Sequence, residues 1–329
     1  MFKKFDPSRV KFSPLAERQN KMVVGDILSL GEIINTKKDL PDIRSLAKEI
    51  LKARSENKTV IWLMGAHVLR RGNSRIIIDL MERGIITHLA ANMAVVIHDF
   101  ELAYIGATLE DVEVYIKDGR FGNWEETGRF INQAAIRGHI DGIGLGEAVG
   151  RLIWQEECGP MPFKKISVCA AAYRLRIPLT VHKSIGQDIT DQHMAADFAA
   201  LGKTSGDDFL IFTETTSRLE NGVFLNLGSA VMGPEVYLKA LSMAHNVAAQ
   251  EGKEIKNFTT AVFDIHDLGD WRDNKDVINY RQLDRLQDPR YYFRPLKTIL
   301  IRTVSDGGRS FYIQGDFAKT IPALYRGLI

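Results

Sequence analysis

The chain has 329 residues, 45% of them hydrophobic, and a formal net charge of +2 at pH 7. This composition excludes a disordered protein and lacks the strong basic field of a nucleic-acid binder, so we expect a globular protein without a nucleic-acid partner. No run of about twenty apolar residues and no apolar signal segment is present, which predicts a cytoplasmic protein without a membrane span. The only cysteines, Cys158 and Cys169, make neither a disulfide framework nor a four-ligand zinc site.

Residues 1–57 are predicted to form an N-terminal helical arm. Within residues 42–51 the apolar side chains recur at helical spacing and share one face, namely Ile43, Leu46, Ala47, Ile50 and Leu51. We expect this face to pack against a sheet or a neighbouring subunit. The remaining residues, 58–329, are predicted to form one large domain, because α/β sheets of this length often share a single core.

A strand, a turn, a helix and a second strand follow one another between residues 58 and 90. The apolar run 58–64 predicts a buried strand, residues 74–84 a helix that stops at Gly84, and residues 85–90 a second strand. Small or amide residues follow both strands, first Gly65, Ala66 and His67, then Ala91, Asn92 and Met93. Such strand ends are where an open α/β sheet binds nucleotides, because backbone N–H groups and helix N-termini point there.

The alternation of helices and strands continues to residue 264. Further apolar strands are predicted at about 177–182, 209–212, 222–227 and 258–263. This order predicts a doubly wound, mostly parallel, Rossmann-like α/β sheet. The charged segment Asp267–Pro289 is predicted to be a long loop or lid. Residues 296–302 and 310–314, joined through Gly307 and Gly308, are predicted to form a β-hairpin.

Several polar positions are candidates for chemistry. The motif Gly142–Gly150 has GxGxxxG spacing, but a helical pattern precedes it, which favours a connection between helices over a cofactor loop. His98 and Asp99 open a predicted helix, where capping and ligand contact remain equally open. A polar loop after the strand 177–182 holds His182, Asp188, Asp191 and His193, and we favour substrate binding over a metal there. Glu235 lies near another helix N-terminus.

Nine short stretches, in order over residues 20–325, resemble the deoxyhypusine synthases, most closely their bacterial deoxyhypusine synthase-like branch. The stretches are 65–67, 78–81, 84–90, 97–101, 105–108, 121–128, 177–182, 226–231 and 258–261. The resemblance implies a homotetramer with active sites between subunits. It also implies NAD held by the strand ends, through Gly65, Ala66, His67, Ala91, Asn92, Met93, Gly228 and Ser229.

The resemblance implies NAD-dependent aminobutyl transfer, as in hypusine formation. The four-carbon unit would move from spermidine or a related polyamine to an acceptor amine, either a small molecule or a lysine of an acceptor protein. The substrate residues would be His98, Asp99, His182, Asp188, Asp191, His193 and Glu235. The family's Lys-His-His and Trp-Gly-Lys motifs are absent, so Lys297 is the nearest candidate for the catalytic lysine. The alternative is a nucleotide-binding regulatory or structural protein that has lost the catalytic lysine and histidine.

Overall fold

The protein forms two compact units. A computed structural model describes residues 2–34, 41–272 and 288–329. Unit 1 comprises Met1–Ile27 and Ala91–Phe209, and unit 2 comprises Leu28–Ala90 and Leu210–Ile329. Most of the loop or lid predicted between residues 267 and 289 lies outside the described residues. No helix in the described ranges is both long and apolar enough to span a membrane.

Eight strands and thirteen α-helices are distributed along the described residues. The strands are β1 (Asn20–Val23), β2 (Val60–Met64), β3 (His88–Asn92), β4 (Ala107–Glu110), β5 (Leu179–His182), β6 (Val223–Leu227), β7 (Thr259–Asp264) and β8 (Arg309–Gln314). The helices are α1 (Leu30–Ile34), α2 (Pro41–Ser55), α3 (His67–Arg70), α4 (Ser74–Glu82), α5 (Met93–Ile105), α6 (Val112–Tyr115), α7 (Glu125–Asp141), α8 (Leu145–Trp154), α9 (Val168–Leu175), α10 (Phe198–Thr216), α11 (Met232–Gln250), α12 (Pro289–Tyr292) and α13 (Phe317–Leu328).

A six-stranded sheet has the strand order β5-β3-β2-β6-β7-β8, and β1 pairs with β4 separately. The pairs β2–β6, β6–β7 and β7–β8 are parallel. Strands β2, β6 and β7 are buried along their whole length, as expected of parallel strands covered by helices on both faces. The predicted Rossmann-like α/β fold is therefore confirmed.

Two predicted elements are wrong. Residues 209–212, predicted as a strand, lie in α10, where Phe212 is buried but Leu210 and Ile211 are exposed. Four apolar residues in a row are too few to distinguish a strand from one turn of helix. The predicted hairpin is also absent, since Leu296–Arg302 forms a π-helix and β8 pairs in parallel with β7. A parallel pair needs a crossover connection, so the Gly307–Gly308 turn joins a helix to a strand.

The predicted helical arm contributes α2, which packs against α13. Ile43, Leu46 and Ile50 are at most 3% exposed, whereas Leu51 is 42% exposed and lies outside the buried face. The fit between the helices is close, because a Cβ atom at Gly327 of α13 would lie 3.1 Å from the Cβ atom of Ala47. The apolar face of α2 is therefore covered within unit 2.

The GxGxxxG motif in unit 1 is a junction between helices. Gly142 ends α7 in the left-handed conformation, with φ +69°, and Gly144 precedes the first turn of α8. Gly146 and Gly150 lie inside α8, where added Cβ atoms would come within 2.0 Å of the Leu179 carbonyl oxygen and 2.6 Å of the Cys169 carbonyl oxygen. Close packing of α8 on β5 and α9 therefore explains these glycines without a cofactor.

Candidate functional site

Strands β2 and β6 of unit 2 are each followed by a glycine at the carboxyl end. Gly65 donates its N–H to the Leu227 carbonyl at 2.9 Å, and Gly228 donates to the Phe263 carbonyl at 3.1 Å. A Cβ atom at Gly65 would lie 2.4 Å from the Gly228 carbonyl oxygen, and Gly228 itself has φ +65°. The two predicted turns therefore lie side by side, and both require glycine for the fold itself.

Three ionisable residues lie on this edge of unit 2. Burial and the nearby Arg70 charge lower the pKa of the His67 imidazole, and the Asp264 charge raises it. The charges of Arg70 and Asp264 are therefore both close enough to affect the His67 ring. The neutral form of His67 is therefore favoured at neutral pH. Arg70 approaches His67 at 3.4 Å and forms no ion pair with a carboxylate of the described residues. Its Nε is buried and has no hydrogen-bond partner there.

Asp264, at the end of β7, was not predicted as a site residue. Its Oδ1 accepts the N–H groups of Ile265 at 2.7 Å and His266 at 3.3 Å, which tightens the turn after the strand. Its Oδ2 accepts no hydrogen bond from the described part of the chain. A carboxylate that ends a predicted strand was the available sequence signal, because strand ends of open α/β sheets face ligands.

Lys297 and Glu235 are brought into electrostatic range of each other. Burial, Arg302 and Arg294 lower the pKa of the Lys297 ammonium group, and Glu235 opposes them. The Lys297 Nζ lies 4.5 Å from the centroid of the Tyr291 ring. Glu235 already pairs with Lys239 and Arg294, and these contacts lower its carboxyl pKa. The catalytic role of Lys297 and the substrate role of Glu235 stay predictions.

Ser229 and Asn92, both predicted to contact a cofactor, accept backbone N–H groups at the starts of helices. Ser229 Oγ accepts the Gly233 N–H at 2.8 Å, at the start of α11. In unit 1, Asn92 Oδ1 accepts the Val95 N–H at 3.2 Å and caps α5. Ala91 and Met93 are fully buried, and Ala66 is 9% exposed. These positions shape the strand ends, and direct contact with a cofactor stays a prediction for them.

Unit 1 contains a cavity of about 210 Å³. Its apolar wall consists of Ala94, Ile97, Leu109, Val112, Phe121 and Ile189, and its polar wall of Arg18, His98, Glu101, Glu110, Gln187 and Asp188. Of the predicted substrate residues, His98 and Asp188 line this cavity. The remaining lining residues were not predicted.

A hydrogen-bonded chain runs through the polar wall. Arg18 donates to both carboxylate oxygens of Glu101, at 2.8 and 2.6 Å. Thr108 donates its single hydroxyl proton to Glu101 at 2.5 Å, so at its 2.7 Å contact with His98 the hydroxyl accepts from Nδ1–H. Burial raises the pKa of the Glu101 carboxyl, but the Arg18 guanidinium and its hydrogen bonds hold it below the ordinary value. The chain fixes the His98 ring with Nδ1 protonated.

Glu110 is the second buried carboxylate of the cavity. Its Oε2 accepts the indole N–H of Trp124 at 2.8 Å and the N–H of Gly122 at 3.2 Å. Burial raises the pKa of this carboxyl, and the two hydrogen bonds partly offset the shift. Leu109, which precedes it, has φ +72°, a strained conformation for a branched residue. Such strain often marks a functional site.

The predicted polar loop after β5 contains an internal cation that the sequence did not reveal. Lys183, 1% exposed at its side chain, lies 2.9 Å from Asp188 and 2.7 Å from Asp191. Burial lowers the pKa of His182 to about 4, so this ring is neutral. His193 accepts the Ala195 N–H at Nδ1 and therefore donates to Glu125 through Nε2. Among these residues, only Asp188 lines the cavity.

Asp99 is a structural carboxylate. It is 1% exposed and accepts the Ser167 hydroxyl at 2.5 Å and the N–H groups of Val168 and Cys169 at 2.8 and 3.1 Å. These contacts cap the N-terminus of α9. Asp99 does not line the cavity, so its predicted contact with a substrate has no support in the geometry. No cluster of three or more metal-ligating side chains occurs in the described ranges.

No protein-family model matches the chain, and no curated protein matches it either. Similar solved structures include ArgZ, an arginine dihydrolase from the ornithine-ammonia cycle in cyanobacteria, with 14% identity, TM-score 0.48 and coverage of 87% of this chain and 31% of ArgZ. AgrE in a ternary complex with ornithine and NAD⁺ has 15% identity, TM-score 0.46 and coverage of 92% and 34%. A conserved LOR/SDH protein from Methanococcus maripaludis S2 has 15% identity, TM-score 0.49 and coverage of 89% and 71%.

The chain thus spans about a third of the length of ArgZ and AgrE. The comparisons contradict the predicted deoxyhypusine synthase family, since no family model matches and the similar structures named above are other proteins. The predicted aminobutyl transfer from spermidine, and with it hypusine formation, is therefore wrong. The alternative of a regulatory or structural protein gains no specific support.

A physical reason for this error lies in the matching stretches. They are largely strand and turn patterns that an α/β sheet requires for packing, as at Gly65 against Gly228. The chemistry-bearing Lys-His-His and Trp-Gly-Lys motifs of the family are missing from the sequence. A pattern that encodes only the sheet cannot specify the reaction.

Proposed function

We propose that unit 2 binds NAD at the carboxyl edge of its parallel strands. The observation that carries the proposal is the pair of charges beside the glycine turns: Arg70 has no carboxylate partner, and Asp264 has an oxygen without a donor, both within the described residues. A dinucleotide complements this pair, because its pyrophosphate is anionic and its ribose hydroxyls are donors.

The roles of the protein groups follow from their chemistry. Arg70 would pair with the pyrophosphate, and Asp264 Oδ2 would accept a ribose hydroxyl. Gly65 packs against the Gly228 carbonyl, and Gly228 packs against the Phe317 ring, so these two turns shape the strand ends beside the two charged residues. Bound NAD would supply hydride transfer, which no side chain of the protein can perform.

The first test measures NAD binding by calorimetry for the wild type, Asp264→Asn and Arg70→Gln. A hydrogen bond or ion pair to a charged group contributes roughly 1.5–3 kcal/mol, so each variant is expected to bind about ten to a hundred times more weakly. Asp306→Asn and Arg309→Gln, which precede or begin β8 at the opposite edge, serve as matched controls and should bind normally. A wild type that does not bind NAD contradicts the proposal.

The second test compares NAD with NADP. If Asp264 accepts the ribose 2′-hydroxyl, the 2′-phosphate of NADP meets a like charge, and NADP should bind at least about tenfold more weakly. Asp264→Asn is expected to reduce this preference, because it removes the repulsion. Equal binding of the two dinucleotides by the wild type would show that Asp264 does not contact the 2′ position.

A further inference from the structure

In and beside the unit 1 cavity, the described residues place four carboxylates, Glu101, Glu110, Asp188 and Asp191, against the cations Arg18 and Lys183 and the ring of His98. Arg18 is balanced by Glu101, to which two of its nitrogens donate. Lys183 faces the two carboxylates of Asp188 and Asp191, so within the described ranges one negative charge remains uncompensated there. Glu110 forms no ion pair within the described part of the chain and adds a second negative charge when ionised. The cavity therefore favours a cation.

Glu110 also offers a hydrogen-bond acceptor. The residue is only 8% exposed, and it lines the cavity. Its Oε2 accepts two hydrogen bonds, whereas its Oε1 accepts none from the described residues. A ligand with N–H groups could therefore donate a charge-assisted hydrogen bond to Oε1 from inside the cavity.

The rest of the cavity suits a short aliphatic body. Ile97, Leu109, Phe121 and Ile189 form the apolar side. Leu109 is held at φ +72° by a strand that places Thr108 against Glu101 and Glu110 against Trp124. At about 30 Å³ per water, a volume of about 210 Å³ corresponds to roughly seven water-sized groups. A ligand of this size has only a few carbon atoms.

We propose that this cavity binds a small molecule with a protonated nitrogen on a short aliphatic chain, such as a primary ammonium or a guanidinium group. The N–H donors would contact Glu110 Oε1 and the Asp188 carboxylate, and the aliphatic chain would pack against Leu109 and Ile189. The inference concerns unit 1 alone and does not depend on dinucleotide binding by unit 2.

The test titrates the full chain with four probes of equal chain length: butylammonium, butylguanidinium, 1-butanol and butyrate. Methyl NMR signals of Ile97, Leu109 and Ile189 report binding, and exposed Ile140 on α7 is the control.

At least one of the two cations should shift the cavity methyl signals at concentrations at least tenfold lower than butanol and butyrate require. Binding by both cations identifies a general cation site, and binding by one identifies its head group. Butanol or butyrate binding as tightly as the cations overturns the proposal, as does the absence of any shift with either cation.

Glu110→Gln tests the residue that defines the site, because its amide oxygen can still accept from Trp124 and Gly122. The cations should bind about tenfold more weakly to this variant, and any weak butanol binding should be unchanged. Glu113→Gln, whose side chain on α6 is 86% exposed, is the matched control and should bind as the wild type does. A folded Glu110→Gln variant with full cation affinity overturns the proposal. If that variant does not fold, the ranking of the four probes on the wild type decides.

Discussion

Buried carboxylates in unit 1 are stabilised in different ways. Asp99 accepts a hydroxyl and two backbone N–H groups, and Glu101 pairs with Arg18. Among the described residues, Asp208 pairs with neither a cation nor a hydroxyl, and its Oδ2 accepts only the N–H groups of Gly146 at 2.9 Å and Val181 at 2.8 Å. Its Oδ1 is buried and has no partner in the described ranges. The ionised form of Asp208 is therefore poorly stabilised.

Asp208→Asn is expected to change how stability depends on pH. Burial raises the pKa of the Asp208 carboxyl to about 8, above its ordinary value of 3.8. Between these values the folded protein holds a proton that the unfolded chain releases, so this group makes stability fall as pH rises, by up to about 1.4 kcal/mol per pH unit. Urea unfolding from pH 4 to pH 8 should show a flatter dependence for Asp208→Asn. Asp141→Asn, at the end of α7 and paired with Arg151, is the control. An unchanged slope for Asp208→Asn would contradict the assignment.

The residues of the candidate sites differ in how far the sequence could predict them. Gly65 and Gly228 were predictable, because small residues after apolar runs mark strand ends. Arg18 and Glu110 were not, because the contact between residues 18 and 101 spans 83 positions and Glu110 follows no recognisable motif. Lys183 was not predictable, because a lysine in a polar loop is ordinarily solvated, whereas this one is almost fully buried.

At the scale of elements, prediction succeeded where the apolar pattern was long or bounded by turns. Strands β2, β3 and β7 were found because each buried run ends at a turn or a polar residue. Residues 209–212 and 296–302 were predicted as strands but are helical. A short apolar run shows no periodicity of its own, so packing against neighbouring elements determines which structure it forms. Residues 296–302 belong to the connection between β7 and β8. The parallel pairing of these two strands therefore could not be predicted from the local sequence.

Gly65→Ala tests the packing of the strand ends. An added Cβ atom 2.4 Å from the Gly228 carbonyl oxygen forces the ends of β2 and β6 apart, because the clash is with backbone. The free energy of unfolding is expected to fall by about 1–3 kcal/mol, the usual cost of overpacking. Gly202→Ala, at an exposed position of α10 with nothing within 4 Å, is the control and should be neutral or stabilising. Equal stability of the two variants would contradict the tight turn.

At the scale of the molecule, each unit combines segments that are distant in the sequence. Unit 1 unites the first 27 residues with residues 91–209, and unit 2 takes the intervening segment together with the C-terminal part. The sequence predicted an arm followed by one domain, because no change of composition marks residues 28, 91 or 210. Interleaved units are set by contacts of high sequence separation, and local patterns do not encode them.

The Arg18–Glu101 ion pair joins the two segments of unit 1, and Arg18→Met tests that connection. Both side chains are 1% exposed, so the variant leaves an unpaired buried carboxylate, which typically costs 3–5 kcal/mol. The pair holds the pKa of Glu101 low, so its contribution is present above the unfolded pKa and is lost as pH falls through the folded value. The loss of stability caused by Arg18→Met should therefore become smaller at acidic pH.

Two further variants serve as controls. Adding Glu101→Gln to Arg18→Met should recover much of the lost stability, because the buried charge is removed. Arg120→Met, which breaks an exposed pair with Asp118, should cost less than about 1 kcal/mol. Hydrogen exchange measured by mass spectrometry should rise more in peptides of unit 1 than in those of unit 2. Equal costs for Arg18→Met and Arg120→Met would mean that the buried pair does not hold the N-terminal segment in place.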